Sequence, residues 1–424
     1  MNHYLIHTEE AQEEMEALAN NIPQVKQHFA IINKIGSGTF SSVFSARAKA
    51  SGCSKRLFAL KHIIPTSHPN RIVSELRCLR KVGGEHNVMG VDACLRHRDH
   101  VVIVMPFFPH QRFQDYREEM SVEEIRGYMY NLMLALRHVH NAGIVHRDVK
   151  PSNFLFDRKL KKYALVDFGL ADANHLDKKP ISSSTQKKSS SVIPSKVQTL
   201  PEMSSECKKR KSSGAEGPSI KRTRQGSPPS RLAEIDVNQQ TSSSKRVTAV
   251  VHNRHGQPLL KSVHPVQCHC RGHFMVCTIC QARETQNASR AGTPGFRAPE
   301  VLLKCPQQGT ALDVWSAGVI FLCFLSGRYP FFKAPDDLSA LAQVINVFGS
   351  VAVQEAALTY GKWVGTNPTQ PPIELKILCD TLRDSVMLFE AEAYDLLARL
   401  LALDPAKRIS AEDAIKHCYF DSLR

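Results

Sequence analysis

His146-Arg147-Asp148-Val149-Lys150-Pro151-Ser152-Asn153 is the stretch on which the reading of this chain turns. It places a carboxylate between basic neighbours and an amide oxygen five residues further on. A carboxylate can take up a proton, and an amide oxygen can serve a hard metal ion. An octapeptide of this kind occurs by chance on polar loops. Its weight depends on whether matching chemistry stands before and after it, in order.

Upstream, Phe29 to Arg47 reads as two strands around Ile35-Gly36-Ser37-Gly38-Thr39-Phe40-Ser41-Ser42-Val43. A glycine-rich turn lets backbone amides close over nucleotide phosphates, although Ser41 stands where a third Gly is usual and a plain hairpin is the competing reading. Phe58-Ala59-Leu60-Lys61 is an apolar strand ending in a cation, and Glu75 follows in the helical stretch Arg71–Arg80. The two could pair, or could be a surface Lys and an exposed helix Glu; their place after the glycine-rich turn favours the pair. A second apolar strand, His100–Met105, runs into Pro106-Phe107-Phe108. There Met105 would guard the rear of a nucleotide pocket or serve only as a core residue.

The helix expected over Ser121–Asn141 opens with a capping box, Ser121 and Glu124, and its apolar period delivers the chain to His146. Downstream, Tyr163-Ala-Leu-Val reads as a buried strand that leads to Asp167-Phe168-Gly169. Ala298-Pro299-Glu300 comes more than a hundred residues later. Asp313 opens a buried helix that includes Ala317–Leu325, and Arg408 is the expected partner of Glu300.

The interruption between Asp167 and Ala298 has its own character. Net charge is +15 over 424 residues, and most of the excess falls within residues 171–290. Residues 178–247 are rich in Ser, Lys, Thr and Gln and cannot bury enough surface to offset their chain entropy, which predicts disorder. Two basic clusters, Lys208–Lys211 and Lys221–Arg224, read as nuclear-import signals or nucleic-acid patches, against a solvated polar tract. Four of the 12 cysteines, Cys268, Cys270, Cys277 and Cys280, crowd together. They are enough to close a structural Zn²⁺ site, with His264, His269 and His273 in reserve; free thiols are the alternative.

Composition narrows the class. The hydrophobic share of 42% is globular. The longest apolar run is far shorter than the about 20 residues a membrane span needs. The acidic start, MNHYLIHTEEAQEEMEALAN, has no apolar signal core, so secretion is not expected. Residues 9–20 predict a helix, read as a solvated extension packed loosely on the first domain.

Taken together, these motifs resemble the eukaryotic protein kinase superfamily over about residues 29–176 and 290–424. IGSGTFSSVF, PHQRFQDY, HRDVKPSNFLF and GTPGFRAPEVLLKC are similar to the cell-division-cycle seven kinases, which also carry a cysteine-bearing insert between DFG and APE. The resemblance implies an α+β, bilobal fold with a small β-rich N-lobe, a mostly helical C-lobe and a long insert. The expected divisions are an extension 1–28, the N-lobe 29–105, the first part of the C-lobe 106–176, a disordered basic insert 177–262, a zinc knuckle 263–283 and the rest of the C-lobe 284–424.

It also implies a nuclear Ser/Thr kinase using ATP and Mg²⁺, with a DBF-type activator subunit and acidic sites on MCM helicase subunits as substrates. Asp148, Lys150, Lys61 and Glu75 would be catalytic. Ile35, Gly36, Ser37, Gly38, Val43, Ala59, Lys61, Met105, Pro106, Phe107, Asn153 and Asp167 would hold the nucleotide and its magnesium. Thr293 would be either a phosphorylation site or a hydroxyl packed on the catalytic loop. Family members often carry a further C-lobe insert, for which residues 350–388 offer only a modest loop-rich segment. The rival reading is a catalytically inert scaffold with the same fold. Direct sequence-specific nucleic-acid binding is not expected, since residues 178–267 lack Phe, Tyr and Trp.

Overall fold

A computed structural model describes residues 9–38, 41–49, 56–65, 67–173, 288–383 and 387–424. The basic insert and the cysteine cluster expected over 177–283 lie outside the described residues. Two helices, α1 (Glu9–Asn21) and α2 (Pro23–His28), precede the strands β1 (Phe29–Gly38), β2 (Ser41–Ala48) and β3 (Leu57–Ile63). Then come α3 (Pro69–Val82), β4 (Ala93–His97) and β5 (His100–Pro106). The strands form one antiparallel sheet in the order β1-β2-β3-β5-β4.

Strand parity gives this sheet two faces with different work. Phe44, Ala46, Phe58, Leu60, Val102 and Val104 alternate along β2, β3 and β5 and are buried together on one side. The other side carries Val43, Ala59, Lys61, Ile103 and Met105, with Val43 opposite Lys61, Ala59 opposite Met105 and Lys61 opposite Ile103. A slip of one residue would exchange the two faces.

The first face is covered by α1 and α2, which corrects the expectation of a loosely packed extension. Leu18, Ile22 and Val25 are at most 1% exposed and belong to the same apolar cluster as Phe44 and Leu60. Glu14 accepts hydrogen bonds from Lys34 Nζ (2.7 Å) and Ser42 Oγ (3.0 Å). The acidic composition of the helix concealed an apolar stripe only a few residues long. Pro23 starts α2, where a missing N–H costs nothing.

Beyond β5, α4 (Phe113–Tyr116) leads into α5 (Val122–Asn141), and both bonds of the Ser121–Glu124 capping box are present. The hairpin β6 (Phe154–Asp157) and β7 (Lys162–Leu165) follows the 146–153 loop. After the insert come α6 (Pro299–Leu302) and α7 (Ala311–Ser326), the latter buried from Leu312 to Ser326. Then α8 (Asp337–Phe348), α9 (Ser350–Thr359), α10 (Leu375–Leu382), α11 (Ala391–Leu400) and α12 (Ala411–Ala414) complete the described helices.

This is the expected α+β, bilobal architecture. Its main core joins Ile125, Tyr128, Leu132 and Leu136 of α5 to Trp315, Ile320 and Phe321 of α7. Residues 350–388, expected as loop, include α9 and α10. α8 escaped the sequence reading although Asp336 caps it by accepting from Ser339 N at 2.8 Å. Among the described residues no single helix is long and apolar enough to cross a membrane.

Candidate active site

A cleft of about 480 Å³ opens between the Lys61 face of the sheet and the 146–167 segment. Ile35, Gly36, Ser37, Gly38, Val43, Ala59, Lys61, Met105, Pro106, Phe107, Asn153 and Asp167 all line it, so the structure brings every expected nucleotide residue to one place. Its volume is of the size that holds a small organic ligand. A Cβ added at Gly36 or Gly38 would meet protein atoms no closer than 3.6 Å. The fold itself therefore does not require glycine there. What glycine does is leave the backbone bare toward the cleft, as close approach of phosphates demands.

Lys61 is the centre of charge. Its Nζ donates to Glu75 Oε1 at 2.6 Å and to Asp167 Oδ1 at 2.7 Å. The residue is 7% exposed and Glu75 only 4%. Burial alone would push the ammonium's pKa down; the Glu75 and Asp167 carboxylates more than offset this and raise it. Burial acts oppositely on Asp167, but the adjacent Lys61 ammonium overrides it and lowers the carboxyl to about 2. Both groups are thus held charged. Asp167 also takes a left-handed backbone, φ 66°, in which its carboxylate accepts from Gly169 N (3.4 Å).

The opposite wall is fixed by a buried acid. Asp313, fully enclosed at the start of α7, accepts from the backbone N–H groups of His146 and Arg147, each at 2.8 Å, and lies 3.0 Å from His140 Nε2. Arg147 has φ 69°, and the two bonds to Asp313 hold that turn. His146 donates through Nε2 to Val166 O (3.0 Å) and meets the Phe168 ring edge-on. The Asp167 segment and the Asp148 loop are thereby bound to each other.

The buried Asp148 carboxylate has three partners, two of which line the cleft. Asn153 Nδ2 donates to its Oδ2 (3.1 Å) and to its backbone carbonyl (2.9 Å). Lys150 Nζ is 2.9 Å from Oδ2, and the Thr293 hydroxyl donates to Oδ1 at 2.7 Å. Lys150 also donates to that hydroxyl (2.8 Å). The Thr293 loop comes this close because Gly292, at φ 101°, passes the catalytic loop where a Cβ would lie 2.8 Å from Arg147 O. Of the two readings of Thr293, this geometry supports the packed hydroxyl. Arg147, the arginine next to Asp148 that could grip a phosphate in this loop, is already paired with Asp172 at 2.6 Å.

Amide and carboxylate oxygens from Asn153 and Asp167 are the donors a hard divalent cation requires. With Asn153 Nδ2 spent on Asp148, its Oδ1 is the atom left for a metal. The residues fit ATP and magnesium. Sequence reading missed Leu155 and Val166, which add apolar lining, and the positioning role of Asp313. The first two look like ordinary strand residues. Asp313 carried a signal, an acid at the head of an otherwise apolar helix, which must be satisfied when buried.

Comparison with known proteins agrees with this geometry. A family model described as protein kinase domain matches residues 29–198 and 274–420. The chain is 38% identical to the cell division cycle 7-related protein kinases of Mus musculus and Homo sapiens, covering 97% of this chain and 93% and 92% of theirs. It is 32% identical to the non-specific serine/threonine protein kinase Cdc7 of Drosophila melanogaster, covering 97% of this chain and 77% of that one.

Proposed function

The chain belongs to the protein kinase family, on its Cdc7-like serine/threonine branch, and from that premise we propose how its residues transfer a phosphoryl group and to what. Lys61 orients the α- and β-phosphates, held in place by Glu75. Asp167 and Asn153 would hold magnesium, which would neutralise charge developing on the phosphates. Asp148 accepts the proton of the Ser or Thr hydroxyl. Lys150 offsets charge on the transferring group, and the glycine strand excludes water above it. The single observation that carries this assignment is the Lys61 ammonium shared between Glu75 and Asp167 in one cleft with Lys150 and Asn153, both of which contact the Asp148 carboxylate.

The substrates we propose are acidic-context sites on MCM helicase subunits, phosphorylated in the nucleus to start DNA replication with a DBF-type activator. The support is the family resemblance and the basic clusters at 208–211 and 221–224. We further propose that the activator biases α3. In the structure the Lys61–Glu75 pair is closed, and the C-terminal end of α3 is fastened to α5 by Lys81 Nζ donating to Ala142 O (2.6 Å) and His138 Nε2 to Val82 O (3.1 Å). A helix pinned at one end moves by pivoting, and a shift from mostly open to mostly closed takes about 5 kcal/mol of differential binding.

Label transfer from ATP to MCM subunits by the chain alone and with activator tests this. A large rate gain with activator, lost when acidic residues flanking the acceptor are neutralised, is expected. Equal rates with and without activator would remove the partner, and indifference to flanking charge would remove the substrate class. Cys268, Cys270, Cys277 and Cys280 are proposed to hold one structural zinc. About one tightly bound zinc per chain is expected on metal analysis, and none after gentle purification would contradict it.

A further inference from the structure

Between α3 and β4 the chain turns through Gly83–Asn87, and two consecutive residues there, His86 and Asn87, have left-handed backbones with φ of 47° and 62°. Residues other than glycine enter that region at some cost and stay where neighbours hold them. Asn87 is accounted for. Its side chain donates to the backbone O and Oδ1 of Asn131 on α5, at 3.2 and 2.9 Å, and its carbonyl accepts from Leu165 N at 2.7 Å.

His86 is held in another way. Its ring stacks on that of His138 of α5, with centroids 4.6 Å apart and planes at 24°, and its Nδ1 is 3.9 Å from the Glu85 carboxylate. His138 Nε2 is 3.1 Å from the Val82 carbonyl. A carbonyl only accepts, so the proton is on Nε2 and the neutral ring keeps its lone pair on Nδ1. Metal-ligating histidines direct their second nitrogen in this manner, which fixes the tautomer and the ring. One ligand atom from each of Glu85, His86 and His138 lies within 4.8 Å of the others. The Glu85 and His86 side chains are 73% and 49% exposed, so both can swing inward to close the remaining gap around an ion.

We propose that Glu85, His86 and His138 form a site for a divalent transition metal ion, of which Zn²⁺ fits the donor set best. Two imidazole nitrogens and a carboxylate oxygen suit zinc, with water in a fourth position; calcium and magnesium prefer oxygen alone. The ion would tie the exit of α3, the helix that carries Glu75, to α5 of the other lobe. It would restrain the point about which α3 pivots. Its ligands are not cysteines, and it uses nitrogen and oxygen rather than thiolate.

That difference makes it testable on the full chain with Co²⁺ as a probe. Thiolate-bound cobalt shows strong near-ultraviolet charge-transfer absorption, whereas nitrogen and oxygen ligands give only weaker visible bands. Wild type is expected to take up one cobalt without a thiolate band, and added Zn²⁺ should displace it and raise the melting temperature. Two variants remove ligands while sparing the fold. His138→Gln keeps an N–H for Val82 O, and His86→Asn tolerates the left-handed backbone. Each should weaken this uptake at least tenfold and abolish the zinc-dependent rise in melting temperature. The control His28→Gln, at an exposed position on α2, should do neither. No thiolate-free uptake by wild type at millimolar cobalt, or equal uptake by wild type and both ligand variants, would overturn the proposal and leave the ring stack as packing alone.

Discussion

Asp148 divides its carboxylate among Asn153, Lys150 and Thr293, so its orientation depends on all three. The Thr293 hydroxyl is both a donor to the acid and an acceptor from Lys150. Thr293→Val should therefore lower kcat while leaving KM for ATP nearly unchanged. A hydrogen bond to a charged group is worth about 1.5–3 kcal/mol, roughly tenfold to a hundredfold in rate. Thr293→Ser should keep most of the activity; if the serine variant falls as far as the valine one, the hydroxyl is not the reason. Lys61, Asp148, Asn153 and Asp167 were legible in the sequence because each sits in a short motif whose spacing is local. Thr293 was not decided there. Its partners lie 143 and 145 positions away in the chain, and their approach depends on Gly292 lacking a Cβ.

Among the elements, α1 departs furthest from its sequence reading. Twelve mostly polar residues suggested a solvated helix, yet Leu18 closes the back of the sheet. Leu18→Ala should cost about 2–5 kcal/mol in unfolding free energy, the range for emptying a buried leucine site. A loss below 1 kcal/mol in denaturant titration would mean that the helix is dispensable cover. On β3, His62 stands 3.0 Å from His100, and burial first, then the second imidazole, push its pKa down to about 4. The unfolded ring binds a proton near the ordinary 6.5, so between about 6.5 and 4 the unfolded state holds more protons. Stability should rise with pH across that window and fall as pH drops through it. His62→Leu should flatten the slope by roughly 1–2 kcal/mol, allowing for solvent screening of a part-exposed ring. Identical slopes for wild type and variant, measured by melting at pH 7 and pH 4.5, would refute this.

At the scale of the whole molecule, the cleft is lined by residues 35–167 and, from beyond the long insert, by Tyr329, while Thr293 reaches Asp148 from the far side of that insert. Glu300, just past the insert, is paired bidentately with Arg408 (2.8 and 3.1 Å), and both are nearly inaccessible. Arg408→Ala would strand a buried carboxylate and should cost about 3–5 kcal/mol, read as a fall in melting temperature. This pair was legible from its motifs, and so was the two-lobed fold. The covering of the sheet by α1 and α2 was not, because it depends on which face of a five-stranded sheet lacks other cover. The proposed transfer needs Asp148 and Asp167 to act together on one phosphoryl group. The most direct measurement is the initial rate of labelled phosphate transfer from MgATP to Ser or Thr, with activator present, for wild type, Asp148→Asn and Asp167→Asn. Wild type should label Ser or Thr in a magnesium-dependent way, and each variant should fall roughly 10²–10⁴-fold with its melting temperature retained. Wild-type rates from either variant would contradict the account.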